Sequence, residues 1–215
     1  MGAAAPENPV RACASVNTRM PYPAPCEAQV SECKVSSYRR NIREGKMDDR
    51  FTFQINYDES TYAVMAYQGN EEHVVIPPEY GGKPVTILFD KLFAGHSEIK
   101  SIEIPDTVTD LGEFLFDGCM DLHHIALPPN LLYLWGYTFA RCGIEEIVLP
   151  DSLKRIPPYA FKECRQLKKV VCGSGLKKID AWAFGGCENL TEVIHGPNVE
   201  ISPQAFALNK DIMKV

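Results

Sequence analysis

This 215-residue chain lacks the signals of many functional classes, and each gap excludes something. No apolar run approaches the roughly 20 residues a membrane-spanning helix needs, so membrane insertion is not expected. Lysine and arginine total 22 against 28 aspartate and glutamate, a net charge of −6. That balance gives no footprint for nucleic acid, which requires a clustered basic face. The first nine residues, Met1 to Pro9, have neither the basic n-region nor the apolar h-region of a secretory signal. Arg39-Arg40 is followed by Asn-Ile-Arg-Glu-Gly-Lys, where a twin-arginine signal needs an apolar stretch. Gly2 follows Met1, but Pro6 takes the Ser/Thr place of a myristoylation motif. The expected location is the cytoplasm, with the cell surface or secretion as the alternative if a leader precedes Met1.

Catalytic motifs are missing too. There is no Gly-x-Ser-x-Gly elbow. Gly173-Ser-Gly175 is too short for a phosphate loop and lacks the following Lys-Ser/Thr. Serine and histidine are scattered, with nothing to pair them as nucleophile and base. The chain reads as a non-enzyme that needs no cofactor. Eight cysteines are present, but no C-x-x-C pair.

What the chain does have is a period. Phe93, Phe116, Phe139, Phe161, Phe184 and Phe206 follow one another at 23, 23, 22, 23 and 22 residues. Such spacing marks a solenoid, in which each coil buries its apolar side against its neighbours. Cys119, Cys142, Cys164 and Cys187 each lie three residues after a ladder phenylalanine. Coils stacked about 4.8 Å apart hold equivalent Cβ atoms slightly too far apart for a disulfide, so these are expected to be small buried thiols.

In chain order, residues 1–48 show no period; they read as a flexible arm, with a helix permitted over 27–43. Cys13, Cys26 and Cys33 in this arm have no evident pairing. Residues 49–73 read as a β-hairpin cap, with strands over 51–57 and 62–67, because a solenoid end otherwise exposes apolar surface and unpaired strand edges. Residues 74–215 read as about six coils. They open at Val74-Val-Ile-Pro77, Ile99–Pro105, Leu122–Pro128, Ile144–Pro150, Leu167–Gly173 and Leu190–Gly196. The unit is L-x-x-I-x-I-P-x-x-V-x-x-I-G-x-x-A-F-x-x-C, with short parallel strands and a helical or 3₁₀ turn at A-F-x-x-C. Little chain follows Phe206, so the last coil is expected to be covered either by the Leu208–Met213 tail or by another molecule, including a homodimer partner.

The segments 74–85 (VVIPPEYGGKPV), 102–108 (IEIPDTV) and 159–164 (YAFKEC) resemble the BspA-like leucine-rich repeats, which have a 22–23-residue unit. The likeness covers roughly residues 51–210. It implies a leucine-rich-repeat solenoid and, through the family's surface proteins, an adhesin that binds host protein or glycan. Trp135 and Pro157 depart from the glycine of the unit, and His96 and Asn209 from its cysteine.

The expected function is protein binding through the concave strand face. Three columns point outward there: Glu72, Lys100, His123, Glu145, Lys168, Thr191; then His73, Ser101, His124, Glu146, Lys169, Glu192; then Val75, Glu103, Ala126, Val148, Val171, Ile194. Glu145 over Lys168 and Glu146 over Lys169 are opposed pairs. Ala126, Val148, Val171 and Ile194 form a candidate partner-binding stripe, since contiguous exposed apolar surface usually marks an interface. The other reading of the stripe is strand propensity on a solvated face. A second candidate surface is the aromatic column Phe114, Tyr137, Tyr159 and Trp182, which either holds a sugar or peptide or packs flat between coils. His123, His124, Glu145 and Glu146 are the candidates for a metal-dependent enzyme site, against which neighbours on a strand point apart and catalytic zinc needs three convergent protein ligands.

Overall fold

The structure, a computed structural model, describes residues 49–209 and the backbone of 213–214. The expectations for residues 1–48, with Cys13, Cys26 and Cys33, lie outside the described residues.

Strands follow the coils. β1 (Phe51–Ile55) and β2 (Tyr62–Tyr67) precede the first coil. That coil carries β3 (His73–Val75), β4 (Glu79–Tyr80) and β5 (Lys83–Leu88). The second carries β6 (Ser101–Glu103) and β7 (Asp110–Leu111), and the third only β8 (Tyr133–Leu134). The fourth has β9 (Glu146–Val148) and β10 (Arg155–Ile156), the fifth β11 (Lys169–Val171) and β12 (Lys178–Ile179), and the sixth β13 (Glu192–Ile194) and β14 (Glu200–Ile201). β15 (Met213–Lys214) then pairs in parallel with β13.

β1 and β2 form the expected antiparallel hairpin, and β2 continues in parallel onto β5. The hairpin therefore extends the sheet of the first coil and covers its open end, with the Tyr67 ring 5.2 Å from Phe93. Arg50 binds Glu71 at 2.9 Å, and the Tyr67 hydroxyl donates to the same carboxylate.

The phenylalanine ladder is one internal row. Phe93, Phe116, Phe139, Phe161 and Phe184 are fully buried, and Phe206 is half-buried at the end. Successive ring centroids lie 5.6, 5.2, 5.2, 5.1 and 5.4 Å apart, with planes within 17° of parallel. Each stacked pair contributes about 0.5–1.5 kcal/mol beyond area burial. The column cysteines are buried free thiols. Cys119, Cys164 and Cys187 donate to the carbonyls of Phe93, Phe139 and Phe161 at 3.2, 2.8 and 3.0 Å.

The turns differ from expectation. No helix occurs among the described residues; the A-F-x-x-C segments are hydrogen-bonded turns. The reason is a left-handed residue immediately before each. Lys91, Phe114, Tyr137, Tyr159 and Trp182 have φ between 56° and 61°, which interrupts any right-handed helical run. A second left-handed column falls at Gly95, Gly118, Arg141, Glu163, Gly186 and Leu208. These kinks aim the turn amides at the next coil instead of back along a helix. Phe116 N donates to Thr138 O at 2.7 Å, Phe139 N to Ala160 O at 2.9 Å, and Glu163 N to Gly185 O at 2.8 Å.

Neither strand face is continuous. On one, β3–β6 is separate from β9–β11–β13–β15; on the other, β1–β2–β5–β7–β8 is separate from β10–β12–β14. The second break has a simple cause. Trp135 N reaches Leu111 O at 3.1 Å and Asp180 N reaches Ile156 O at 3.0 Å, but Pro157, in the same column, has no N–H to give. The first break falls at Leu122–Pro128, expected as a strand and observed without one. Here the link from the column cysteine to the strand is one residue shorter: Cys142 to Ile144, against Cys119 to Leu122 and Cys164 to Leu167. Gly143 is drawn so close that a Cβ there would lie 1.9 Å from Met120 O, and its amide bonds Cys119 O at 3.0 Å.

Candidate functional site

The candidate stripe lies on the face formed by β9, β11 and β13. Ile147, Val170 and Val193 point inward and are buried, so Val148, Val171 and Ile194 fall outward by strand alternation. Those three are in direct parallel register. Val148 is 65% exposed, while Val171 and Ile194 are half-buried. Ala126, the fourth member, is exposed on the coil-three segment without a strand.

Charge flanks the stripe in ion pairs between coils: Lys100 with Glu72 at 2.7 Å, Lys168 with Glu145 at 2.7 Å, and Lys169 with Glu192 at 2.9 Å. The Lys168 bond holds the Glu145 carboxyl below its ordinary pKa. The expected Glu146–Lys169 pair is replaced. Lys169 stands between two glutamates in register and takes Glu192. Glu146 and Glu103 form no ion pair among the described residues.

The aromatic column is stacked face to face. Phe114–Tyr137, Tyr137–Tyr159 and Tyr159–Trp182 have centroids 4.5, 4.7 and 6.3 Å apart, and all four rings are half-buried. Lys91 lies over Phe114 at 5.9 Å, at the coil-one end of the row. The inner ring faces are thus occupied by one another, which favours the packing reading over a flat sugar platform. The His and Glu candidates are not brought together. His123 Nδ1 meets Gly143 O at 3.1 Å, Glu145 is held by Lys168, and no three His, Cys, Asp or Glu converge among the described residues.

A cleft absent from the sequence reading opens at the first break. It has a volume of about 600 Å³ and spans the second to fourth coils. Ile102, Ile125, Leu127 and Val148 supply apolar lining, with Ser101, His124 and Glu146 as its polar part. Ile125 and Leu127 are only half-buried, whereas their counterparts Ile147 and Leu149 in the next coil are 2% and 1% exposed. Without ladder bonds at His124–Leu127, two positions that are core in the next coil are part-exposed here. The one cue in the sequence was the two-residue spacing from Cys142 to Ile144.

The repeat itself matches known proteins. Six copies of the BspA type leucine rich repeat region match over residues 86–213. A leucine rich repeat protein of T. pallidum is similar at 26% identity and TM-score 0.59, over 74% of this chain and 86% of that one. A leucine rich cell surface protein from Faecalibacterium prausnitzii is 22% identical, with TM-score 0.54, over 79% of this chain and 47% of that one. The pneumococcal vaccine antigen PcpA is 18% identical, with TM-score 0.62, over 79% and 43%. The chain thus spans less than half of those last two, and they share its fold. No curated protein matches it. With six repeat copies in register over more than half its length, the chain belongs to the BspA-type leucine-rich repeat family.

Proposed function

We propose that this chain is a non-catalytic protein-interaction module that grips its partner on the strand face through Ala126, Val148, Val171 and Ile194. The carrying observation is Val148, an aliphatic side chain 65% exposed and continued in register by Val171 and Ile194. Solvent exposure of that kind has no role in holding the coils together, whose contacts lie on the inward residues. The test is affinity capture from the source cell with wild type and Val148→Lys/Val171→Lys. The double variant is expected to fold normally and lose the captured protein; equal recovery by both would refute the reading.

A second reading is a cell-surface adhesin. Its support is the F. prausnitzii neighbour, described as a cell surface protein. Localisation of the full-length product by surface proteolysis of intact cells separates the two, since only a surface protein is cleaved.

A further inference from the structure

We propose that the cleft at the third coil receives an extended, basic peptide segment of the partner. This rests on the protein-binding reading above and adds a location and a chemistry to it. Two observations combine. First, the ladder is absent on both sides of His124–Leu127: among the described residues no backbone hydrogen bond joins that segment to β6 or β9. Among the described residues β6 pairs only with β3, and β9 only with β11. Backbone N–H and C=O groups of β6, β9 and the His124–Leu127 segment between them are therefore left unpaired beside the cleft. A strand edge with unpaired N–H and C=O groups is a template for an extended main chain, and the apolar hollow beside it takes alternate side chains. At about 600 Å³ the hollow lies in the range of ligand clefts, large enough for a few side chains and too small for a folded domain.

Second, the charge of the rim is one-sided. Lys100, Lys168 and Lys169 are each neutralised by a glutamate in an ion pair. Glu146 lines the cleft and Glu103 follows its lining residue Ile102, and neither is bridged. Two unbridged carboxylates at opposite edges complement lysine or arginine on an incoming strand. They act mainly on encounter and register, while the apolar floor of Ile102, Ile125 and Leu127 supplies the buried contact.

The test uses the full chain and two synthetic probes, acetyl-VKVKVKV-amide and its glutamate counterpart acetyl-VEVEVEV-amide, in calorimetry at 50 mM NaCl. The basic probe is expected to bind and the acidic one not. Glu103→Lys/Glu146→Lys is expected to weaken binding at least about tenfold, and so is Ala126→Trp, which fills the cleft from an exposed position. Glu188→Lys/Glu200→Lys makes the same change in net charge on coils five to six and is expected to stay within about twofold. Equal binding of both probes, no binding of the basic one, or indifference to the cleft variants overturns the proposal. Self-association that Ala126→Trp abolishes also overturns it, by assigning the cleft to a second copy. A partner lost with Val148→Lys/Val171→Lys while the basic probe fails leaves the general reading standing and this one refuted.

Discussion

Glu163→Gly is expected to stabilise the protein, against the usual effect of glycine. Glu163 sits in the second left-handed column at φ 57°, between Arg141 at 52° and Gly186 at 77°, and Gly118 holds an equivalent place two coils back at 79°. A left-handed conformation costs an ordinary L-residue about 1–2 kcal/mol. Glycine loses about 0.5–1 kcal/mol more chain entropy on folding. The Glu163 carboxylate makes only a half-exposed contact with Lys162, 3.5 Å away, of little weight. The net gain is about 0.5–1 kcal/mol, or roughly 1–4 °C in Tm for a domain of this size. The reverse change, Gly186→Ala, places a Cβ 3.2 Å from Glu163 Cγ at a φ of +77° and is expected to lose about 1–2 kcal/mol. In the Glu163→Gly background the Cγ is gone and only the backbone strain remains, so the Gly186→Ala loss should shrink. Urea unfolding followed by circular dichroism gives all four corners of this cycle. A loss of more than about 0.5 kcal/mol for Glu163→Gly would refute the account of the turns.

Other expectations follow from the same geometry. Phe139→Ala, between two rings at 5.2 Å, should cost about 3–5 kcal/mol, and Phe206→Ala at the half-buried end clearly less; equal losses in urea unfolding would contradict a graded stack. Burial pushes the thiols of Cys119, Cys142 and Cys164 up, and that of Cys172 to about 12, so alkylation at pH 8.5 mapped by mass spectrometry should leave these four unlabelled in native protein. The hydrogen bond from Tyr67, and then Arg50, holds Glu71 at about 2 against an ordinary 4.5. A carboxyl with a lowered folded-state pKa stabilises above about 4.5 and loses that contribution as pH falls toward 2. Glu71→Gln should therefore flatten the fall in Tm between pH 5 and pH 2.5; an unchanged slope would remove the cap contact from the acid response.

The phenylalanine spacing was sufficient to place five buried rings and the inward strand residues, because these depend on a repeat that each coil states for itself; the hairpin lies outside that repeat and is legible in the alternation over 51–57 and 62–67. The turns were misread as helical because the pattern A-F-x-x-C looks helix-compatible, and nothing in a bulky Phe114, Tyr137 or Trp182 advertises a positive φ. Lys169 was assigned to Glu146 because both lie in one column; the choice of Glu192 depends on side-chain reach between three strands at once.

The repeat, its register and the identity of the inner row were thus settled by sequence alone, since apolar burial against an identical neighbour leaves one arrangement for each residue type. The interruption at coil three was decided only in three dimensions. One residue fewer between Cys142 and Ile144, the press of Gly143 on Met120, and the lost ladder at His124–Leu127 are separate small facts along the chain. They become a cleft only where three coils stack, because hydrogen bonds between coils are a property of pairs and not of any single repeat.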